Sequence, residues 1–364
     1  MAADAGPAHT QPAGPPAPEV AGDRSPEPSR WGPAGRPGRA VLGSPGLRLS
    51  GRLLLAAIPV LWGVTFLTFV LMNLLPGNAA QELLGANATP AEVRALELKL
   101  HLNEPFWTRY WHWLSGVLHG DLGASLTSGQ PVTSILAQRL PVSFELMIYA
   151  FCISVLLAVP VAAAAAHRPG GWADRLSMMA SMAGLSIAPY VLALLLIFIF
   201  AVRLQVLPAI GFVPLSQSVV GNIKSLTLPA LAIGLPLACF YTRLLRADMV
   251  EQMQSEDYVV TARAKGVPPW QVLIRHAMRN SMFGFLTVLG LNLGTLIGAL
   301  VIIEPIFALP GIGQVLLQSI NDRDIVVVEA VVLVFALIVV LANLLTDLLY
   351  ALLDPRIRYG RPAA

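Results

Sequence analysis

Charge is scarce in this chain. Only 12% of its 364 residues are Asp, Glu, Lys or Arg, where soluble domains carry about 25%. That shortage excludes an ordinary water-soluble domain and points to a protein with several membrane spans. Cysteine is nearly absent too. The two present, Cys152 and Cys239, both lie in apolar runs, which excludes a disulfide framework and reads as small core hydrophobes. The net charge of +3 is too small to argue for a nucleic-acid partner. No GxxxxGK[ST] phosphate loop occurs, and no HExxH or GxSxG. His9, His101, His112, His119, His167 and His276 are scattered, and none sets a base beside a nucleophile. Catalysis within this chain is therefore not expected, and no cofactor or metal site is legible.

What the chain has in abundance is apolar sequence, 55% of its residues. A helix crossing the hydrocarbon needs about 20 mostly apolar residues. Six runs qualify: Leu53–Leu75, Phe144–Ala166, Leu176–Val202, Leu226–Leu245, Phe283–Ile303 and Ile325–Leu353. The fourth holds Pro229 and Pro236, which neighbouring helices can accommodate. In the fifth, Gly284, Gly290, Gly294 and Gly298 predict one small-residue face for close helix approach. The fold class is thus all-α, a membrane protein of six transmembrane helices.

Lysine and arginine set the orientation. With the N-terminus inside, the inner segments are the tail, 167–175, 246–282 and the C-terminus. These carry Arg168, Arg175, Arg246, Arg263, Lys265, Arg275, Arg279, Arg356, Arg358 and Arg361 besides six tail arginines, an excess that favours N-in and C-in. Residues 1–49 form a Pro/Ala/Gly-rich tail that cannot bury enough apolar surface to order itself. It reads as a disordered cytoplasmic extension or as a segment that binds a partner. Residues 50–364 form the membrane domain.

Two polar stretches interrupt that domain. The outer one, 76–143, contains Thr89-Pro90-Ala91-Glu92, a helix-start signature. Trp107, Tyr110, Trp111 and Trp113 follow in a second helical segment. Such aromatics favour the membrane boundary, though a stacking platform for sugar or peptide uses the same residues. The inner stretch, 246–282, holds DYVVTARAKGVPPWQVLIRHAMRNS at 257–281. Asp257–Ala264 and Pro269–Arg279 predict two short helices broken at Gly266, with Tyr258, Val259 and Ala262 as an exposed knob and Arg263, Lys265 and Arg275 as steering charges. Asn292, Glu304, Asn343, Asp347 and Glu329 are the polar groups of the last two spans. Intramembrane polar groups of this kind serve either a pathway or helix contacts.

Five ordered segments together resemble the permease subunits of ATP-binding-cassette importers, in the dipeptide and oligopeptide branch that includes nickel and glutathione permeases. They are the 257–281 loop, Leu75-Pro76-Gly77-Asn78-Ala79, residues 100–126, RLPVSFELMIYA at 139–150, and GALVIIEPIFALPGIGQVLLQSINDRDIVVVEA at 298–330. The likeness covers about residues 50–360. Where the family loop begins Glu-Ala-Ala, or Arg-Thr-Ala in the peptide branch, this chain has Val260-Thr261-Ala262, and Phe283-Gly284 stand where a proline is usual. The resemblance implies a type I importer permease in a bacterial inner membrane. Its implied partners are a second homologous permease, two ATPase subunits that hold ATP and magnesium, an extracytoplasmic binding protein and the lipid bilayer. It implies ATPase coupling through Asp257, Tyr258, Thr261, Ala262, Arg263, Ala264, Lys265 and Gly266, and a pathway or gate at Asn292, Glu304, Pro310, Gly311, Gly313 and Asn343. Peptide is the implied cargo, with haem, nickel and glutathione as other candidates. The competing reading, a proton-coupled secondary transporter, calls for inverted repeats and paired mid-span acids, and neither stands out.

Overall fold

The computed structural model describes residues 45–74, 81, 88–99 and 103–353. Residues 1–44 of the tail, the Leu75–Ala79 motif, the arginines beyond residue 353 and the side chain of Asp347 lie outside the described residues, while 45–49, expected to be disordered tail, are the helical start of the first span. Among those described, every regular element is helical, apart from an isolated bridge between Ala124 and Pro131. Helices α1 (Pro45–Leu74), α4 (Val132–His167), α7 (Val219–Ser255) and α12 (Ile325–Leu353) are each long and apolar enough to cross a membrane. Two bent pairs bring the number to six.

The first bent pair covers the third expected run, Leu176–Val202, as two helices. It consists of α5 (Trp172–Ser186) and α6 (Pro189–Arg203), bent by 101°. Pro189 is the cause: its ring pushes the preceding residues out of helical geometry, and Ile187 and Ala188 are extended. The second pair is α9 (Pro269–Leu291) and α10 (Leu293–Ile306), bent by 44°. Here Asn292 is the break. Its Nδ2 donates to the Val288 carbonyl at 2.9 Å, a local bond that competes with the helix ladder. The same α9 corrects the expected short helix at 269–279, because helix runs on from Pro269 through a π turn at Leu273–Ala277 into the fifth span.

At the centre lie α4 and α7, 36 and 37 residues long. At 1.5 Å per residue each spans about 55 Å, well beyond the roughly 30 Å hydrocarbon layer. The α4 side of their seam is made of small side chains. Ala150, Ser154, Ala158, Ala162 and Ala166 recur every fourth residue of α4, and all are buried. From α7, Gly234 lies so close that a Cβ there would sit 2.8 Å from the Ala150 carbonyl oxygen. This is the close-approach geometry of membrane helices, and span five shows it too where Gly290 meets Thr346 of α12. Those four glycines do not share a face. Gly290 abuts Thr346 and Gly294 faces Val339 on α12, whereas Gly284 faces Asp248 on α7 and Gly298 meets open space. Gly284 and Gly290 are six residues apart, which turns them to different sides of a 3.6-residue helix.

Three apolar clusters stack along the bundle. One joins α4 and α7 to α8 (Asp257–Ala264) and α9 through Tyr241, Met249, Leu273 and Phe285. A middle cluster joins α4, α6, α7 and α10. The third, at the opposite end, joins α1, the start of α4, α11 (Ile312–Asn321) and α12. Between α1 and α4 come α2 (Pro90–Lys99) and α3 (Phe106–Leu118). The expected start of α2 is present as a capping box. Thr89 donates through its backbone N and its Oγ1 to Glu92 Oε2, each at 2.8 Å, and these bonds hold the Glu92 carboxyl below the usual glutamate range. Cys152 is exposed, so its expected place in the core is corrected, and Cys239 is half-buried against Gly184.

Candidate functional site

The 256–268 segment sits where α7 stops and α9 begins. Glu256 is extended and ends α7, and α8 then runs for two turns. Gly266 adopts φ +78, its N–H reaches Arg263 O at 2.9 Å, and Val267 N reaches Ala262 O at 3.2 Å. These two bonds form a Schellman ending with glycine in the left-handed position. Pro268 is extended and Pro269 opens α9, so the chain leaves the turn on a fixed course.

Three contacts fasten α8 to the ends of the long helices. The Arg263 guanidinium donates to Met253 O at 3.1 Å, occupying a carbonyl that the end of α7 leaves free. Gln252 Oε1 accepts from Tyr258 and from Asn280, joining α7, α8 and α9 at one atom. On α8 itself, Val259 and Ala262 are buried against the cluster that holds Met253, Val272 and Ala277. The expectation that Tyr258, Val259 and Ala262 form one exposed knob is therefore corrected: at this spacing Val259 and Ala262 share the inward stripe of a short helix. The surface presented to solvent carries Asp257, Tyr258, Val260, Thr261, Arg263, Ala264, Lys265 and Gly266, with Val260 61% exposed. Burial, helped by the neighbouring Glu256 charge, keeps the Tyr258 phenol above its ordinary range despite the Asn280 contact. Beside it stand Trp270 and Ile274, both exposed, and the Trp270 ring meets the His167 ring at 5.1 Å, edge to face, at the end of α4.

A second polar group lies at the other end. Glu304, fully buried, accepts from Ser143 Oγ at 2.5 Å and from Gln314 N at 3.1 Å. Ser143 Oγ in turn accepts from Ile312 N at 2.8 Å. The turn from α10 into α11 thus closes around one carboxylate. Gly311 is required there because a Cβ would collide with the Glu304 carboxylate, and a Cβ at Gly313 would sit 2.7 Å from Val301 Cα. Glu304, Gly311 and Gly313 come together with Pro310 at this turn, while Asn292 lies at the helix bend and Asn343 on an exposed side of α12.

Several structural residues escape a reading of the sequence alone. Asp174 and Arg246 form a two-pronged ion pair at 2.8 and 2.7 Å, linking α5 to α7. Asp324 accepts from Ser125, Leu126 and Thr127, tying the loop before α4 to the start of α12. Tyr149 donates to Asn222 Oδ1 at 3.1 Å, and Asn222 Nδ2 donates to Val213 O at 2.9 Å. Apart from the local Asn222–Val213 bond, these pairings span 72 to 199 residues, so only the folded chain reveals them. Ser143 lies within the 139–150 motif that carries the family likeness, and that was its one available signal.

Comparison with known proteins bears on what this architecture is for. Residues 158–359 match the family described as binding-protein-dependent transport system inner membrane component, and residues 47–147 match its N-terminal companion family. A Brucella abortus (strain 2308) protein, provisionally named a peptide transport system permease protein, is 40% identical over 83% of this chain and 96% of its own length. The dipeptide transport system permease protein of Alkalihalophilus pseudofirmus is 37% identical over 85% of this chain and 98% of its own. The glutathione transport system permease protein of Pectobacterium atrosepticum is 37% identical over 84% and 97%. With more than half of its length under one family profile and relatives aligned nearly end to end, this chain belongs to the inner membrane permease components of binding-protein-dependent transport systems.

Proposed function

We propose that this chain is one of two permease subunits of an ATP-driven importer of short peptides, seated N-in and C-in in a bacterial cytoplasmic membrane. The observation that carries this reading is α8: a short exposed helix held on the ends of α7 and α9 and flanked by membrane spans on both sides. ATP is hydrolysed on two partner subunits that seat the exposed rim of Tyr258, Val260 and Thr261, with Arg263, Lys265 and Arg275 steering the approach. Closure of the ATPases draws this elbow inward, and the bundle rocks between inward-facing and outward-facing states. The turn at Glu304, Pro310, Gly311 and Gly313 faces the extracytoplasmic binding protein. Peptide cargo is supported by the names of the relatives, since the chain resembles permeases of peptide, dipeptide and glutathione systems.

The coupling role is tested at Gly266. Its surroundings are open, so a side chain there strains the backbone and meets no neighbour, at a cost of about 1–3 kcal/mol. In the transporter assembled with its ATPases in nanodiscs, Gly266→Val is expected to abolish most of the ATP hydrolysis stimulated by binding protein. Gly266→Asn, which tolerates positive φ, is expected to retain it. Unchanged stimulation in the valine variant would falsify the assignment. Uptake of labelled dipeptides by cells lacking the gene, with and without complementation, tests the cargo.

A further inference from the structure

Helix α3 packs against α1 by one side and leaves another side bare. Tyr110, fully buried, exchanges a hydrogen bond with Thr65 Oγ1 at 3.1 Å, and the Phe106 and Tyr110 rings meet Phe69 edge-on at 4.9 and 5.3 Å. Along a different stripe stand Trp107, Trp111, Leu114 and Leu118, at spacings of four, three and four. Trp107 is 57% exposed, Trp111 56% and Leu118 79%. The two edges of α3 point in opposite directions along α1. Arg109 donates to Asn73 Oδ1 at 3.0 Å, one residue from the end of α1. Trp107 stacks on Phe66 at 5.6 Å, and Phe66 stacks on Trp62 at 5.4 Å, deeper along the same helix. From Asn73 to Phe66 is about 10 Å of helix at 1.5 Å per residue. The polar edge of α3 therefore lies level with the end of the Ala57–Leu74 span, and its tryptophan edge lies below that level, inside the apolar zone.

We propose that α3 is an in-plane membrane helix and that phospholipid acyl chains of the leaflet opposite the α8 end cover its Trp107–Trp111–Leu114–Leu118 stripe. Two observations choose lipid over a protein. The stripe is continuous, through Phe66 and Trp62, with the outward side of α1, of whose spanning window only 17% is buried within the chain. The depth set by the Phe66 and Asn73 contacts puts the Trp107 indole within about 10 Å of the end of the span, the boundary region where tryptophan gathers. The inference rests on membrane insertion of α1 and is independent of cargo or ATP coupling.

Photochemistry and fluorescence test it together. With Trp111→p-benzoylphenylalanine in the full transporter in native membranes, illumination is expected to attach phospholipid to the α3 peptide, read by mass spectrometry. An adduct to the binding protein, to the other permease or to a second copy would overturn the proposal, as would absence of any lipid adduct. In nanodiscs containing acyl-brominated phosphatidylcholine, the wild-type chain is expected to lose more emission than a Trp107→Phe, Trp111→Phe variant. The difference corresponds to two of the seven tryptophans. Equal fractional quenching by bromolipid in both, with the difference appearing instead under aqueous iodide, would place the stripe in water and sink the idea.

Discussion

Glu304 shows how much one buried side chain can hold. Its two oxygens receive Ser143 and the Gln314 amide, so the carboxylate substitutes for the water that the turn has lost, and an acceptor left out would cost about 1–3 kcal/mol. Glu304→Gln keeps the shape but turns a donor toward one of these donors, and is expected to lower thermal stability in detergent by about 1–2 kcal/mol. Gly311→Ala is expected to cost more, about 2–4 kcal/mol, because its methyl enters the space the carboxylate fills. Thermal unfolding of both variants checks the order. A glutamine variant less stable than the alanine variant would show that hydrogen bonding, and not packing, holds the turn. Polar residues in a membrane helix announce themselves in the sequence, and Glu304 stood out for that reason, whereas Gly311 and Gly313 were marked by the family resemblance. Ser143 did not, because a serine on an apolar helix has no visible purpose until its partner arrives from 161 residues away.

Among the elements, the broken third span has most to explain. A 101° corner between α5 and α6 leaves α5 with few fixed contacts besides α7, and the Asp174–Arg246 fork fixes it there. Both groups are partly shielded, with 6% and 23% of their side chains exposed. Removal of one partner is expected to cost about 3 kcal/mol, since the other charge is left in a poorly solvated place. Asp174→Ala should thus reduce the yield of folded transporter sharply, while Arg246→Lys, which keeps charge but not the planar fork, should show a smaller loss. Size-exclusion profiles and melting curves report this directly, and a lysine variant as stable as wild type would reduce the fork to a simple charge effect. The positions of the six apolar runs were legible because hydrophobicity is summed over about 20 residues. The corner was not, although Pro189 was in view. Proline within a span commonly bends it slightly, and only the extended Ile187 and Ala188 show that the helix stops. The inward side of α8 was misjudged for a related reason: over two turns, three apolar residues do not say which side meets the protein.

For the whole molecule, the division of labour is what matters. The chain belongs to a family of membrane permeases, and Gln252, Asp174 with Arg246, Glu304 and Asp324 hold its helices together toward the two ends of the bundle. The purified chain without partners is expected to show neither ATP hydrolysis nor accumulation of labelled peptide against a gradient. Under the proposed function, reconstitution with a second permease, two ATPases and a binding protein is expected to restore both. Uphill transport by the chain alone would make it a secondary transporter. The seam between α4 and α7 has a mechanical corollary. Around Ala150 and Gly234 the two helices touch backbone to backbone, and nearer α8 the fully buried Tyr241, Leu245 and Met249 pack into the alanine side of α4, which leaves little slack between them. They behave as a single spar, so a displacement imposed on one side of the bilayer arrives at the other with little backlash.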